Sequence, residues 1–119
     1  MEVKKRAEVI QKWIDDYCNS VSFEIKSLVV GVSGGVDSSV VSTLCALTGR
    51  KTIVLSMPIK QQKNQYDLSI SHGNWLVKKF SNVKLNTINL ESIFNEFEKN
   101  MYQFKNEHGF ANSRARLRM

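Results

Sequence analysis

The sequence predicts an α/β protein in which helices cover both faces of a parallel sheet, and three observations carry that reading. Strand-like and helix-like segments alternate along the chain. The strand-like runs, residues 28–32, 52–57 and 83–88, are short and rich in Val, Leu and Ile, as strands covered on both sides require. Between the first run and the next helical stretch stands Ser33-Gly34-Gly35-Val36-Asp37-Ser38-Ser39, too glycine-rich and polar to extend the strand. Such a turn joins a strand to a helix and invites a ligand against its backbone.

The elements follow in order. Val3, Ala7, Ile10, Ile14 and Cys18 recur at helical spacing, and Asn19-Ser20 closes that helix. Residues 28–32 form the first strand. Val40, Val41, Leu44, Cys45 and Leu47 mark a helix over 38–48, which Gly49 caps. Residues 52–57 form the second strand, stopped by Pro58, the only proline. Lys60 to Gln65 reads as a loop. Leu68, Trp75, Leu76 and Phe80 then predict a helix, despite Gly73 inside it. After the strand at 83–88, Leu90, Ile93, Phe94, Phe97, Met101 and Phe104 give a helical stripe that suits core packing. Gly109 is expected to break the chain, and Asn112 to cap a last helix. In open sheets of this kind, ligands sit beyond the carboxyl ends of the strands. The loop at 33–39 and the segment at 57–65 would both face that crevice.

Composition narrows the class. The 119 residues suffice for one small domain. No apolar run approaches the ~20 residues of a membrane helix, and the amphipathic start lacks a signal-peptide core. Cys18 and Cys45 lie on apolar helix faces without metal-ligand spacing, and read as reduced core thiols of a cytoplasmic protein. His72 and His108 form no ligand pair. The net charge of +6 suits a polyanionic partner, either nucleic acid or the phosphates of a small molecule. Lys4, Lys5, Lys78 and Lys79 read as solvated helix surface. The chain ends Arg114-Ala115-Arg116-Leu117-Arg118-Met119 inside a helical pattern, which suggests truncation.

The loop carries the chemistry. Paired glycines bring backbone N–H groups close to a ligand, and a helix starting at Ser38 or Ser39 aims further N–H groups at the same point. The loop holds no lysine and matches neither GxxxxGK[ST] nor GxGxxG. A bare Asp37 would repel phosphate, unless it holds Mg²⁺ that phosphate oxygens share. The competing structural reading is a Gly-Gly turn with Asp37 and Ser38 as helix caps.

Ser33-Gly34-Gly35-Val36-Asp37-Ser38 resembles the SGGxDS signature of the N-type ATP pyrophosphatases. The resemblance implies an adenine nucleotide alpha hydrolase-like fold with a doubly wound parallel sheet. Asn112-Ser113-Arg114-Ala115-Arg116-Leu117-Arg118-Met119 is similar to the N-x-[KR]-A-R-x-R-M segment of NAD synthetases within that superfamily. The resemblance spans residues 1–119 as the amino-terminal part of a single domain. It implies that Gly31, Val32, Ser33, Gly34, Gly35, Val36, Asp37 and Ser38 bind ATP, that Asp37 binds Mg²⁺, and that Arg118 contacts deamido-NAD. A helix at ~100° per residue independently puts Arg114 and Arg118 on one face, with Arg116 pointing away.

The resemblance further implies amidation of deamido-NAD to NAD. The nicotinate carboxylate attacks the α-phosphorus of ATP, pyrophosphate leaves, and ammonia displaces AMP. Free ammonia fits a chain with one short helix before the loop. The protein's part is positioning and charge neutralisation, without a covalent nucleophile. A homodimer is expected, and nucleic acid and membrane partners are not. Two features depart from the family. Leu55-Ser56-Met57-Pro58 lacks the arginine that several members carry before Leu-Pro, although the Met57 backbone is expected near the adenine. The second metal-binding acid would lie past Met119, so amide formation by these residues alone should be negligible. The alternatives are another N-type ATP pyrophosphatase, such as a tRNA-modifying ligase, and an inactive nucleotide-binding fragment.

Overall fold

The computed structural model describes residues 2–59, 63–101 and 107–119, with the backbone alone at 107 and 108. Phe104 of the expected stripe, Lys60, Gln61 and Gln62 of the expected loop, and the side chain of His108 lie outside the described residues.

The elements are α1 (Val3–Ser20), β1 (Leu28–Gly31), α2 (Val36–Leu47), β2 (Thr52–Ser56), α3 (Lys63–Lys79), β3 (Val83–Thr87), α4 (Glu91–Asn100) and α5 (Glu107–Arg118). The three strands form one parallel sheet in the order β1-β2-β3. The expected alternation of strand and helix holds.

Register decides which side chains meet. Val30 pairs with Val54 and Val54 with Leu85, so these residues share one face. On that face Val32, Ala46, Val54, Leu76 and Val83 form the core, with Phe80 and Leu85 packed against it. Val54 and Leu76 are fully buried, and each such side chain stabilises the fold by about 1.5–3 kcal/mol. Ala46 comes from α2 and Leu76 from α3, so both helices lie on this face. The other face is more open: Val29, Gly31, Lys84 and Asn86 are exposed, and Ile53 and Leu55 half-buried. Among the described residues, the two crossover helices α2 and α3 thus pack on one face of the sheet. Crossovers of one hand that advance in one direction, β1 to β2 to β3, return their helices to the same side.

Glycine has a specific use inside α3. A Cβ at Gly73 would stand 2.7 Å from Leu85 Cδ1, so its absence lets α3 sit low on β3. The interior glycine that weakened the helix prediction is thus a packing device. Gly49 follows α2 in the left-handed region, φ +79°, and ends it as expected.

Several helix boundaries differ from expectation. α2 begins at Val36, before Ser38, with Gly35 as its N-cap. α3 begins at Lys63, inside the stretch expected as loop. α5 runs from Glu107 through Gly109, so Gly109 does not break it and Asn112 does not cap it. One interior glycine costs about 1 kcal/mol relative to alanine, and docked side chains offset that. Phe110 meets Phe94 edge-to-face at 6.1 Å, and Arg118 bonds to the end of β2. The α4 stripe is only partly core: Phe94 is buried, whereas Ile93 and Phe97 are exposed. On α1 only Cys18 is buried, and Trp13 stacks on Tyr17 at 5.5 Å on an exposed surface.

Candidate functional site

The site lies where β1 and β2 end. Val32 extends the ladder past β1, donating its N–H to the carbonyl of Leu55 at 2.9 Å. The chain then turns through Ser33, Gly34 and Gly35 into α2. Gly34 has φ +91°, and a Cβ there would stand 2.5 Å from the carbonyl oxygen of Gln65 in α3. Both conformation and contact exclude a side chain. Gly35 has no positive φ, and a Cβ there would meet only Ser33 Oγ, at 3.3 Å.

Serine hydroxyls hold the turn. The Gly35 N–H donates to Ser33 Oγ at 3.2 Å, and the Ser33 N–H donates to Ser38 Oγ at 3.1 Å. Ser39 Oγ donates to the Gly35 carbonyl at 2.8 Å. These amides are thus bonded to hydroxyls, which can rotate and act as donors as well as acceptors.

A cleft of about 640 Å³ borders the turn, lined by Ser33, Gly34, Gly35, Asn64, Gln65, Leu68, Ile59, Ala111, Arg114 and Arg118. A smaller one of about 200 Å³ adjoins it, lined by Gly31, Val32, Ser33, Met57 and Arg118. Arg114 and Arg118 thus enter one cleft together, as helical spacing predicts. Arg116 instead lines an apolar cleft with Ile93, Phe94, Phe97, Ser113 and Leu117. Arg114 stands 5.5 Å from the Phe94 ring centroid. Arg118 Nε donates to the Met57 carbonyl at 3.0 Å and a terminal nitrogen donates to the Ile59 carbonyl at 3.3 Å. Burial and then the charge of Arg114 push the Arg118 pKa below the ordinary arginine value. A guanidinium nonetheless stays charged in a protein.

Of the expected ATP residues, Gly31, Val32, Ser33, Gly34 and Gly35 line the clefts, while Val36, Asp37 and Ser38 do not. Val36 is exposed. Asp37 is exposed in the first turn of α2, and among the described residues no hydrogen-bond or ion-pair partner holds it. The N-cap is Gly35 rather than Asp37 or Ser38; Asp37 stands in the first turn, where its charge suits the helix dipole, and Ser38 Oγ accepts from the Ser33 N–H. Among the described residues no group of three His, Cys, Asp or Glu side chains could hold a metal. Cys18 and Cys45 are free and buried. Burial, then Cys18, pushes the Cys45 pKa up, which keeps it a thiol and unsuited to nucleophilic work.

Leu68 and Ala111 line the cleft without having been expected there, whereas the segment 57–65 and Arg118 were expected at it. Asn64 and Gln65 reach the cleft because α3 starts early, and Arg118 is anchored on backbone carbonyls that no side-chain pattern reveals. No described helix is long and apolar enough to cross a membrane.

A family profile described as NAD synthase matches residues 6–119. The NH(3)-dependent NAD(+) synthetase of Finegoldia magna is 34% identical over 121 residues, which span all of this chain and 47% of that protein. Its counterpart in Thermococcus sibiricus is 32% identical over 95% of this chain and 43% of its own length. Among solved structures, the NH3-dependent NAD synthetase of Campylobacter jejuni superposes with a TM-score of 0.82 at 26% identity, over 100% of this chain and 49% of that one. The NMN synthetase of Francisella tularensis gives 0.83 at 25%, over 99% and 47%. The chain therefore spans about half the length of the relatives it matches.

Proposed function

This chain belongs to the NAD synthase family, and on that premise we propose that it carries the nucleotide-binding part of an ammonia-dependent ligase that amidates deamido-NAD to NAD with ATP. The observation that carries the proposal is the shared cleft: the glycine turn, Arg114 and Arg118 border one cavity beyond the ends of β1 and β2. Parallel sheets bind nucleotides in that position.

In this reading the nicotinate carboxylate attacks the α-phosphorus of ATP, pyrophosphate leaves, and ammonia displaces AMP from the adenylated acid. Ser33, Gly34 and Gly35 hold the departing pyrophosphate through backbone and hydroxyl donors, aided by Val36, Ser38 and the start of α2. Gly31, Val32 and Met57 border the smaller cleft, where the nucleoside fits. Arg118 supplies positive charge to deamido-NAD from the adjoining wall.

Asp37 fits magnesium in one mode. Mg²⁺ is commonly held by one or two carboxylates plus phosphate oxygens and water. Asp37 is exposed and lacks a described protein partner, so it suits an ion shared with the nucleotide rather than a cage of side chains. When bound, the ion neutralises charge on the leaving pyrophosphate.

The reading places residues 1–119 in the amino-terminal part of one domain, in the cytoplasm, within a homodimer. The buried free thiols support a reducing compartment.

Equilibrium binding of ATP to the 119-residue chain, with and without magnesium, is the first test. Saturable, magnesium-dependent binding that pyrophosphate competes away is expected, and no binding would defeat the proposal. Isotope exchange between pyrophosphate and ATP then assigns the acceptor. Any exchange is expected to require deamido-NAD. The acid form of NMN serves as a control, because one structural neighbour is named an NMN synthetase. Exchange driven by tRNA alone would favour a tRNA-modifying ligase. ATP binding that no acceptor influences would favour a nucleotide-binding module.

A further inference from the structure

His72, on α3, reaches the loop helix from outside the clefts. Its Nε2 lies 2.9 Å from Ser42 Oγ. Ser42 is fully buried, and its Oγ donates to the Ser38 carbonyl at 2.7 Å and lies 3.1 Å from the Ser39 carbonyl. A hydroxyl has one proton. With that proton on Ser38, Ser42 Oγ accepts from His72, which selects the Nε2–H tautomer. Stacking on Trp75 at 5.8 Å orients the ring. The low seat of α3 at Gly73 brings the histidine within reach of α2.

The first turn of α2 needs such help. Its N-cap is Gly35, which has no side-chain oxygen to satisfy the turn's N–H groups. A glycine turn also loses much backbone entropy on ordering. A binding loop ordered in advance escapes that loss when ligand arrives.

We propose that His72 is a positioning residue for the phosphate loop: through Ser42 Oγ it holds the Ser38 and Ser39 carbonyls in helical register, so that the N–H groups at the turn converge on an anion. The inference rests on the reading that this turn binds the pyrophosphate end of ATP.

The test uses the 119-residue chain with His72→Ala and His72→Gln, the glutamine amide nitrogen standing in for Nε2. Two quantities are measured: magnesium–ATP affinity, and amide hydrogen exchange without ligand. His72→Ala is expected to weaken affinity about 3- to 10-fold, the effect of losing one hydrogen bond, and to speed exchange in the first turn of α2 but not at Val54. His72→Gln is expected to restore most of both. Unchanged affinity in the alanine variant, no rescue by glutamine, or exchange that rises equally at Val54 would each overturn the inference. A wild-type chain that binds no magnesium–ATP would instead sink the proposed function. Even then, unaltered first-turn exchange in His72→Ala would refute the bracing role separately.

Discussion

Arg118 and Met57 stand 61 positions apart, yet Arg118 Nε donates to the Met57 carbonyl at 3.0 Å. That bond fastens the last described turn of α5 to the chain just past β2. It brings a cation to the wall of the cleft where Leu55-Ser56-Met57-Pro58 offers none. The same guanidinium bonds the Ile59 carbonyl, so one side chain bridges two backbone carbonyls two residues apart.

Arg118→Lys tests that span. A single ammonium cannot reproduce a planar fork that reaches two carbonyls at fixed angles. Lysine is expected to keep the charge but loosen α5, lowering stability by about 1 kcal/mol. Arg118→Ala should cost more than lysine and weaken deamido-NAD binding further. Denaturant unfolding and ligand titration read the two effects, and wild-type stability in the lysine variant would deny the fork its role.

Gly34→Ala is expected to be the most damaging change in the turn. The left-handed φ alone costs roughly 1–3 kcal/mol for a residue with a Cβ, and the Gln65 carbonyl at 2.5 Å is backbone that cannot rotate aside. Gly35→Ala faces only a serine hydroxyl and should be milder. Thermal melts of the pair check the ranking, and ATP titration should follow it.

Asp37→Ala should separate binding from folding. Asp37 is exposed and unpaired among the described residues. Its loss is expected to leave the melting temperature within a degree or two, as for most surface changes, and to remove most of the magnesium dependence of ATP binding. Undiminished dependence would show that the ion, if any, is held elsewhere.

His72 gives the fold a pH dependence of known sign. Burial holds its pKa below the ordinary 6.5, against an opposing hydrogen bond to Ser39. The folded chain therefore favours the neutral ring. That stability is complete above the unfolded value and is lost as pH falls from about 6.5 through the depressed folded value. Melting temperature is expected to drop between pH 7.5 and 5, and the drop should be smaller in His72→Gln. A steeper slope in the variant would reverse the assignment.

Patterning along the chain sufficed for the three strands, the parallel α/β class and the position of the glycine turn between β1 and α2. Strand burial and turn chemistry are local: short Val- and Leu-rich runs and a Gly-Gly-polar turn announce themselves over a few residues. Helical spacing likewise separated Arg114 and Arg118 from Arg116, because angular position on a helix needs nothing beyond the period. Packing between distant elements decided the rest. Gly73 and Gly109 look like helix breakers until Leu85 and the Phe94–Phe110 contact supply the reason for each helix. The Arg118–Met57 bond and the His72–Ser42 bond join segments whose spacing in sequence carries no signal. Their partners are a backbone carbonyl, which every residue has, and a serine whose neighbours are known only once α3 settles on the sheet.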